Sequence, residues 1–123
     1  AFLADRAQRA LDAGIPASRV IVDAGLDLGK TPAMSMELLH NSDALVGLGF
    51  PVLLSASNKR FLFELLEASR YEIGPGTAAA HTIGVVKGCR ILRAHDVRDT
   101  RRLADMLAWI LAAREHDAAA AER

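Results

Sequence analysis

Pro51-Val52-Leu53-Leu54-Ser55-Ala56-Ser57-Asn58-Lys59-Arg60-Phe61 is the stretch on which the fold turns. Val52 to Leu54 is apolar without alternation, as strands covered on both faces are in a parallel sheet. Proline opens such a strand and cannot sit in its middle. Small polar residues and a lysine follow at once. A helical pattern then runs from Lys59 to Ala68, with Leu62, Leu65 and Leu66 expected inward. The same order of strand, polar loop and helix recurs on either side. Upstream, Val20-Ile21-Val22 runs into Asp23-Ala24-Gly25 and Gly29-Lys30-Thr31. Downstream, Arg90-Ile91-Leu92 runs into Arg93-Ala94-His95-Asp96-Val97.

The remaining segments complete an α-β-α-β-α-α-β-α order. Phe2 to Ala13 places Leu3, Ala7, Ala10 and Leu11 on one helical face and ends at Gly14. Thr31 reads as an N-cap with Pro32 in the first turn, opening a helix through Met34, Leu38 and Leu39 towards Leu48, with a break near Asn41-Ser42 and a stop at Gly49. Ile73-Gly74-Pro75-Gly76 interrupts the chain before a small-residue helix from Thr77 to Lys87, which Gly88 ends. Asp99 is expected to cap the last helix, where Leu103, Met106, Leu107, Ile110 and Leu111 share one stripe and Trp109 packs beside it. The folded segment is read as residues 1–116, and 117–123 as a frayed alanine-rich tail.

This is an α/β pattern with a parallel sheet. Three strands alone leave both outer edges open, and a closed (β/α)8 barrel takes about 250 residues. The chain is therefore expected to be the carboxyl-terminal part of such a barrel, about strands six to eight. Its start agrees with that expectation, since Ala1 is not an initiator methionine and the helical pattern is under way by Phe2.

Composition narrows the function. The chain has 123 residues and is 51% apolar, enough for a core in about one domain. Formal net charge is zero, which lends no support to a nucleic-acid or anionic-membrane surface. No apolar run approaches the roughly 20 residues of a membrane span. The single cysteine, Cys89, lies among Val85, Val86, Ile91 and Leu92 and reads as a small buried hydrophobe, which fits a reducing cytoplasm.

Chemistry-bearing side chains collect where strands end, the edge at which parallel α/β proteins bind ligands. Asp23 can accept two hydrogen bonds from a planar amidine-like ring edge, or organise its own loop. Lys59 is a point charge suited to a carbonyl or phosphate oxygen, with Ser57 beside it; at the start of a helix a cation is mildly disfavoured, which argues for a use. Arg93 and His95 alternate and so share a face. Arginine suits a diphosphate or a flat ring, and histidine can donate to a leaving phosphate. His40, His81 and His116 read as surface or helix-face residues, and no zinc-type spacing is present.

Ala24 to Thr31 also fits a relaxed phosphate-loop pattern with alanine in the first position. Against it, Asp27 brings a negative charge into the loop, Ala24 replaces a glycine, and no later strand ends in an obvious magnesium-binding aspartate. A nucleotide-hydrolysing protein remains a rival reading on these residues.

Taken together, Asp23-Ala24-Gly25 with Gly29-Lys30-Thr31, the Ser57-Asn58-Lys59 segment, Gly76-Thr77-Ala78 and Arg93-Ala94-His95-Asp96-Val97 resemble the carboxyl-terminal part of the dihydropteroate synthase family, pterin-binding (β/α)8 enzymes of folate synthesis. The resemblance runs from about Leu3 to Leu111. It implies condensation of hydroxymethyl-dihydropterin pyrophosphate with p-aminobenzoate, magnesium accompanying the pyrophosphate. It implies substrate contacts by Asp23, Gly25, Lys30, Ser57, Lys59, Arg93 and His95. Asp23 would grip the amino-pyrimidine edge, Lys59 the ring carbonyl side, and Arg93 the ring and leaving group. His95 would hold the pyrophosphate and Ser57 would lie near the aminobenzoate carboxylate. Lys59, Arg93 and His95 are the expected catalytic residues. Frequent dimers in the family suggest a homodimer through the late helices.

Departures from the family pattern fall on one side of the site. Ala24 stands where proline is usual, and Leu28, preceded by Asp27, stands where an aromatic residue often lines the aminobenzoate site. A non-condensing, pterin-binding paralogue is the alternative these changes raise. The family's earlier-strand aspartate and asparagine and its amino-terminal loop are not in this segment, so the segment alone is expected to be inactive.

Overall fold

The computed structural model describes the backbone of residues 1–121 and the side chains of residues 1–113. In chain order it comprises α1 (Phe2–Asp12), a 3-10 turn (Ala17–Arg19), β1 (Val22–Asp23), α2 (Pro32–His40), α3 (Ser42–Val46), β2 (Val52–Leu54), α4 (Arg60–Leu66), α5 (Gly74–Val86), β3 (Ile91–Leu92) and α6 (Val97–Ala121). This is the expected order, with the break at Asn41 realised as two helices. The expected frayed tail falls on residues whose side chains, and at 122–123 whose backbone, lie outside the described residues.

The three strands form one parallel sheet in the order β1-β2-β3. Val22 pairs with Val52 and Asp23 with Leu53; Leu53 pairs with Ile91 and Leu54 with Leu92. Each strand thus lies beside its sequence neighbour, which a parallel pair achieves only through a helical crossover. Alternation sends Val22, Val52 and Leu54 to one face, where each is under 5% exposed beneath the helices. Asp23, Leu53 and Ile91 form a row across the other face, which is open enough to leave Ile21 55% exposed. The core lies between the sheet and α2, α4 and α5, around Leu26, Leu54, Phe61, Ile73, Ala80 and Cys89. Gly84 belongs to its tightest contact: a Cβ there would lie 2.2 Å from Leu54 Cδ2. That is why α5 carries no side chain where it crosses β2.

Local signals account for most boundaries. Thr31 Oγ1 accepts the Met34 N–H at 3.2 Å, and Pro32 occupies the first turn of α2. Gly14, at φ +86°, lets the chain leave α1 as expected. Four expectations are corrected. α5 begins at Gly74, so Pro75 and Gly76 lie in its first turn rather than in a break. The cap of α6 is Asp96, whose Oδ1 accepts the Asp99 N–H at 2.9 Å. Leu65 and Leu66 are each 53% exposed, because α4 is one short helix that turns Phe61 inward beside Leu62, which is buried as expected. Trp109 is 72% exposed, with Met106 and Ile110 beside it on an uncovered face of α6. No described helix is long and apolar enough to cross a membrane.

Candidate active site

The carboxyl ends of the three strands bring the expected residues to one rim. Asp23 is the last residue of β1 and is exposed; its Oδ1 accepts the Gly25 N–H at 2.7 Å. That bond closes an Asx-type turn and leaves the second oxygen for a ligand. Gly25 sits at φ +65°, a conformation that a side chain there would strain.

Lys59 caps the start of α4 without a side-chain cap bond, its ammonium reaching across to Leu26 O at 3.0 Å. A lysine has three donors, so two remain for a substrate. Arg93 follows β3 and is exposed, and its main-chain N–H bonds Leu54 O at 3.0 Å, prolonging the ladder. A pocket of ≈ 220 Å³ is lined by Ser55, Ser57, Asn58, Lys59, Arg93, Ala94 and His95. The three expected catalytic residues therefore share one cavity.

Ser57 lines this pocket and also meets His95. It is 5% exposed, and its Oγ lies 3.0 Å from His95 Nδ1 while accepting the His95 main-chain N–H at 3.1 Å. Its hydroxyl therefore faces histidine at the edge of the pocket. Lys30 stands apart. Its ammonium folds back onto Gly25 O at 2.8 Å and Leu28 O at 3.1 Å, and it lines a separate cavity with Asp27 and Phe61. A phosphate loop presents amide N–H groups inward and sends its lysine to the phosphates. Here the lysine holds the loop's carbonyls, so the nucleotide-hydrolase reading loses its support.

Three features escaped the sequence reading. Asp27 takes φ +65°, and its carboxylate accepts the Phe61 N–H at 3.3 Å and 3.4 Å, tying the β1 loop to the start of α4. An aspartate in a glycine-rich loop was a usable hint, since Asp tolerates the left-handed region better than most residues. Asn58, at φ +50°, donates its N–H to Thr77 Oγ1 at 3.2 Å, anchoring the β2 loop on α5. His81 is buried at 1% exposure, not on the surface, and its Nε2 has no hydrogen-bond partner. Burial pushes its pKa below the ordinary 6.5. Its spacing from Gly84 was the available signal, because the two share the inward face of α5. His40 is exposed as expected, while His116 lies outside the described side chains. His81 lines a second cleft, ≈ 760 Å³, which continues outward from Ser57 and His95 between α5 and the start of α6.

Comparison with known proteins bears on the family and the fold. The family described as pterin binding enzyme matches residues 1–95. Dihydropteroate synthase of Streptococcus pyogenes serotype M6 is 38% identical over 112 residues, covering 89% of this chain and 42% of that protein. The inactive dihydropteroate synthase 2 of Mycobacterium leprae is 41% identical over 104 residues, 85% of this chain and 36% of that protein. The crystal structure of dihydropteroate synthase from Thermus thermophilus in complex with 4-aminobenzoate superposes with a TM-score of 0.82 at 39% identity, over 89% of this chain and 44% of that one. The chain thus spans less than half the length of these relatives. With a matching family signature, a superposable fold and consecutive parallel strands, the chain belongs to the pterin-binding enzyme family and carries part of its (β/α)8 barrel.

Proposed function

We propose that the protein containing this chain is a dihydropteroate synthase-type transferase, and that these residues supply barrel strands six to eight and one wall of its substrate site. The observation that carries this reading is the single pocket shared by Lys59, Arg93 and His95, with Asp23 at the neighbouring strand end. In the reaction, the amine nitrogen of p-aminobenzoate forms a bond to the pterin methylene carbon. The bond from that carbon to the diphosphate oxygen breaks, pyrophosphate leaves with the electron pair, and the amine loses a proton. Asp23 holds the amino-pyrimidine edge. Lys59 donates to the ring carbonyl side, and Arg93 lies between ring and leaving group. His95 donates to the departing oxygens. Fixed cations at a growing diphosphate charge stabilise the transition state more than the ground state. Lys59 and Arg93 are donors only, which suits phosphate oxygens and not a metal ion. Magnesium is accordingly read as part of the substrate, carried on the diphosphate.

A homodimer through the late helices belongs to the same proposal. Met106, Trp109 and Ile110 on α6 and Ile83 and Val86 on α5 leave 45–72% of each side chain exposed. So does a cytoplasmic setting, which the buried free thiol of Cys89 favours. The 123-residue segment alone is expected to be inactive.

The test is pyrophosphate release by the full-length protein given hydroxymethyl-dihydropterin pyrophosphate and magnesium, with and without p-aminobenzoate. Release that depends on aminobenzoate supports the synthase. Asp27, tied to Phe61, and the exposed Leu28 favour a second reading, a paralogue that binds pterin without condensing it. Pterin binding without such release would select that reading, and no pterin binding would refute both.

A further inference from the structure

Ser57 meets His95 twice, through the main-chain N–H and through the ring nitrogen Nδ1. A hydroxyl has one proton and two lone pairs, and an amide N–H can only donate. One lone pair of Ser57 Oγ is therefore taken by the amide. Among the described residues the hydroxyl has no hydrogen-bond partner besides His95, and Ser57 is 5% exposed. Its proton therefore goes to the Nδ1 lone pair. The opposite sense, with Nδ1–H donating to Oγ, would leave the hydroxyl proton without a protein acceptor among the described residues. In a neutral imidazole, an accepting Nδ1 puts the ring proton on Nε2.

We propose that Ser57 is a positioning residue that holds His95 as the Nε2–H tautomer, so that the ring offers the ligand site a donor and not a lone pair. The value of that tautomer rests on the transferase reading above. Diphosphate oxygens only accept, and a lone pair facing them would repel. The orientation comes from a different strand: the bond spans 38 positions of sequence and joins the carboxyl ends of β2 and β3. The β2 loop is itself fixed from its other side by the Asn58–Thr77 bond. His95 is thus aimed by a framework that its own loop does not provide.

The test is ¹⁵N NMR of the histidine rings in the full-length protein, at a pH where the rings are neutral, for wild type, Ser57→Ala and Ser57→Thr. The wild type should show an unprotonated Nδ1 and a protonated Nε2 at His95. Ser57→Ala should mix the tautomers, and Ser57→Thr, which keeps the hydroxyl, should restore the single form. In the same proteins Ser57→Ala should lower kcat for pyrophosphate release on the order of tenfold, as loss of a partner orienting a functional histidine does, with KM for the pterin substrate unchanged. A protonated Nδ1 in the wild type, or a tautomer indifferent to Ser57→Ala, would overturn the proposal. If the wild type shows the stated tautomer but releases no pyrophosphate, the transferase reading fails and the role of Ser57 stands.

Discussion

His81 allows a stability effect to be worked in both sign and size. The ring is 1% exposed, its Nε2 is unpartnered, and burial holds its pKa below 6.5. As pH falls through 6.5, the unfolded chain takes up a proton that the folded chain resists. Over that interval the unfolded state binds more protons, so stability falls as the pH falls. Well above 6.5 both states are neutral and the contribution is flat. For one ring held neutral by the fold, moving from about pH 7.5 to about pH 5.5 costs at most about 1.4 kcal/mol. The perturbation is His81→Leu, which removes both the titration and the orphaned nitrogen. Denaturant midpoints of the full-length protein and the variant at the two pH values give the comparison, all other titrating groups being common to both. The wild type should lose up to that amount more than the variant on acidification. Equal pH dependence, or a wild type that gains on the variant in acid, would refute the reasoning.

Three further outcomes are expected. Gly84→Ala gains about 1 kcal/mol of helix propensity but drives a methyl against Leu54, an overpacking cost of about 1–3 kcal/mol, so denaturant midpoints should fall; a stabilised variant would contradict the contact. Lys59→Ala removes a donor from the shared pocket and its tie to Leu26 O, and should slow pyrophosphate release by about 100-fold or more while thermal melting shows a loss of only about 1 kcal/mol; near-normal release would remove Lys59 from the chemistry. Trp109→Glu, placed among Met106 and Ile110, should convert the proposed dimer to monomer in sedimentation, and an unchanged dimer would move the interface elsewhere.

The sheet was legible because Val20-Ile21-Val22, Val52-Leu53-Leu54 and the Ile91-Leu92 pair each precede polar strand-end residues, and β2 keeps the expected bounds Val52–Leu54. The grouping of Lys59, Arg93 and His95 was legible for the same reason, strand ends being neighbours in a parallel sheet. The errors share a cause. Leu65, Leu66 and Trp109 carry the periodicity of a buried face, and periodicity reports that a face is apolar, not what covers it. His81 was misplaced because a histidine among alanines reads as polar, whereas packing against the crossing at Gly84 buries whatever shares that face. The Ser57–His95 bond was not legible, because it joins residues 38 positions apart through a geometry that no local pattern encodes.

The ties that hold the rim run largely to main-chain atoms: Lys59 to the Leu26 carbonyl, Lys30 to the Gly25 and Leu28 carbonyls, Asp27 to the Phe61 amide, Ser57 to the His95 amide. A bond to the backbone survives any substitution of the partner's side chain that keeps the local conformation. The side chains at positions 26 and 61 are thereby released from holding the rim and answer to packing. Such a rim can drift widely in sequence while its charged groups stay in register, and alignments scored on side chains will understate how much of it two distant homologues still share.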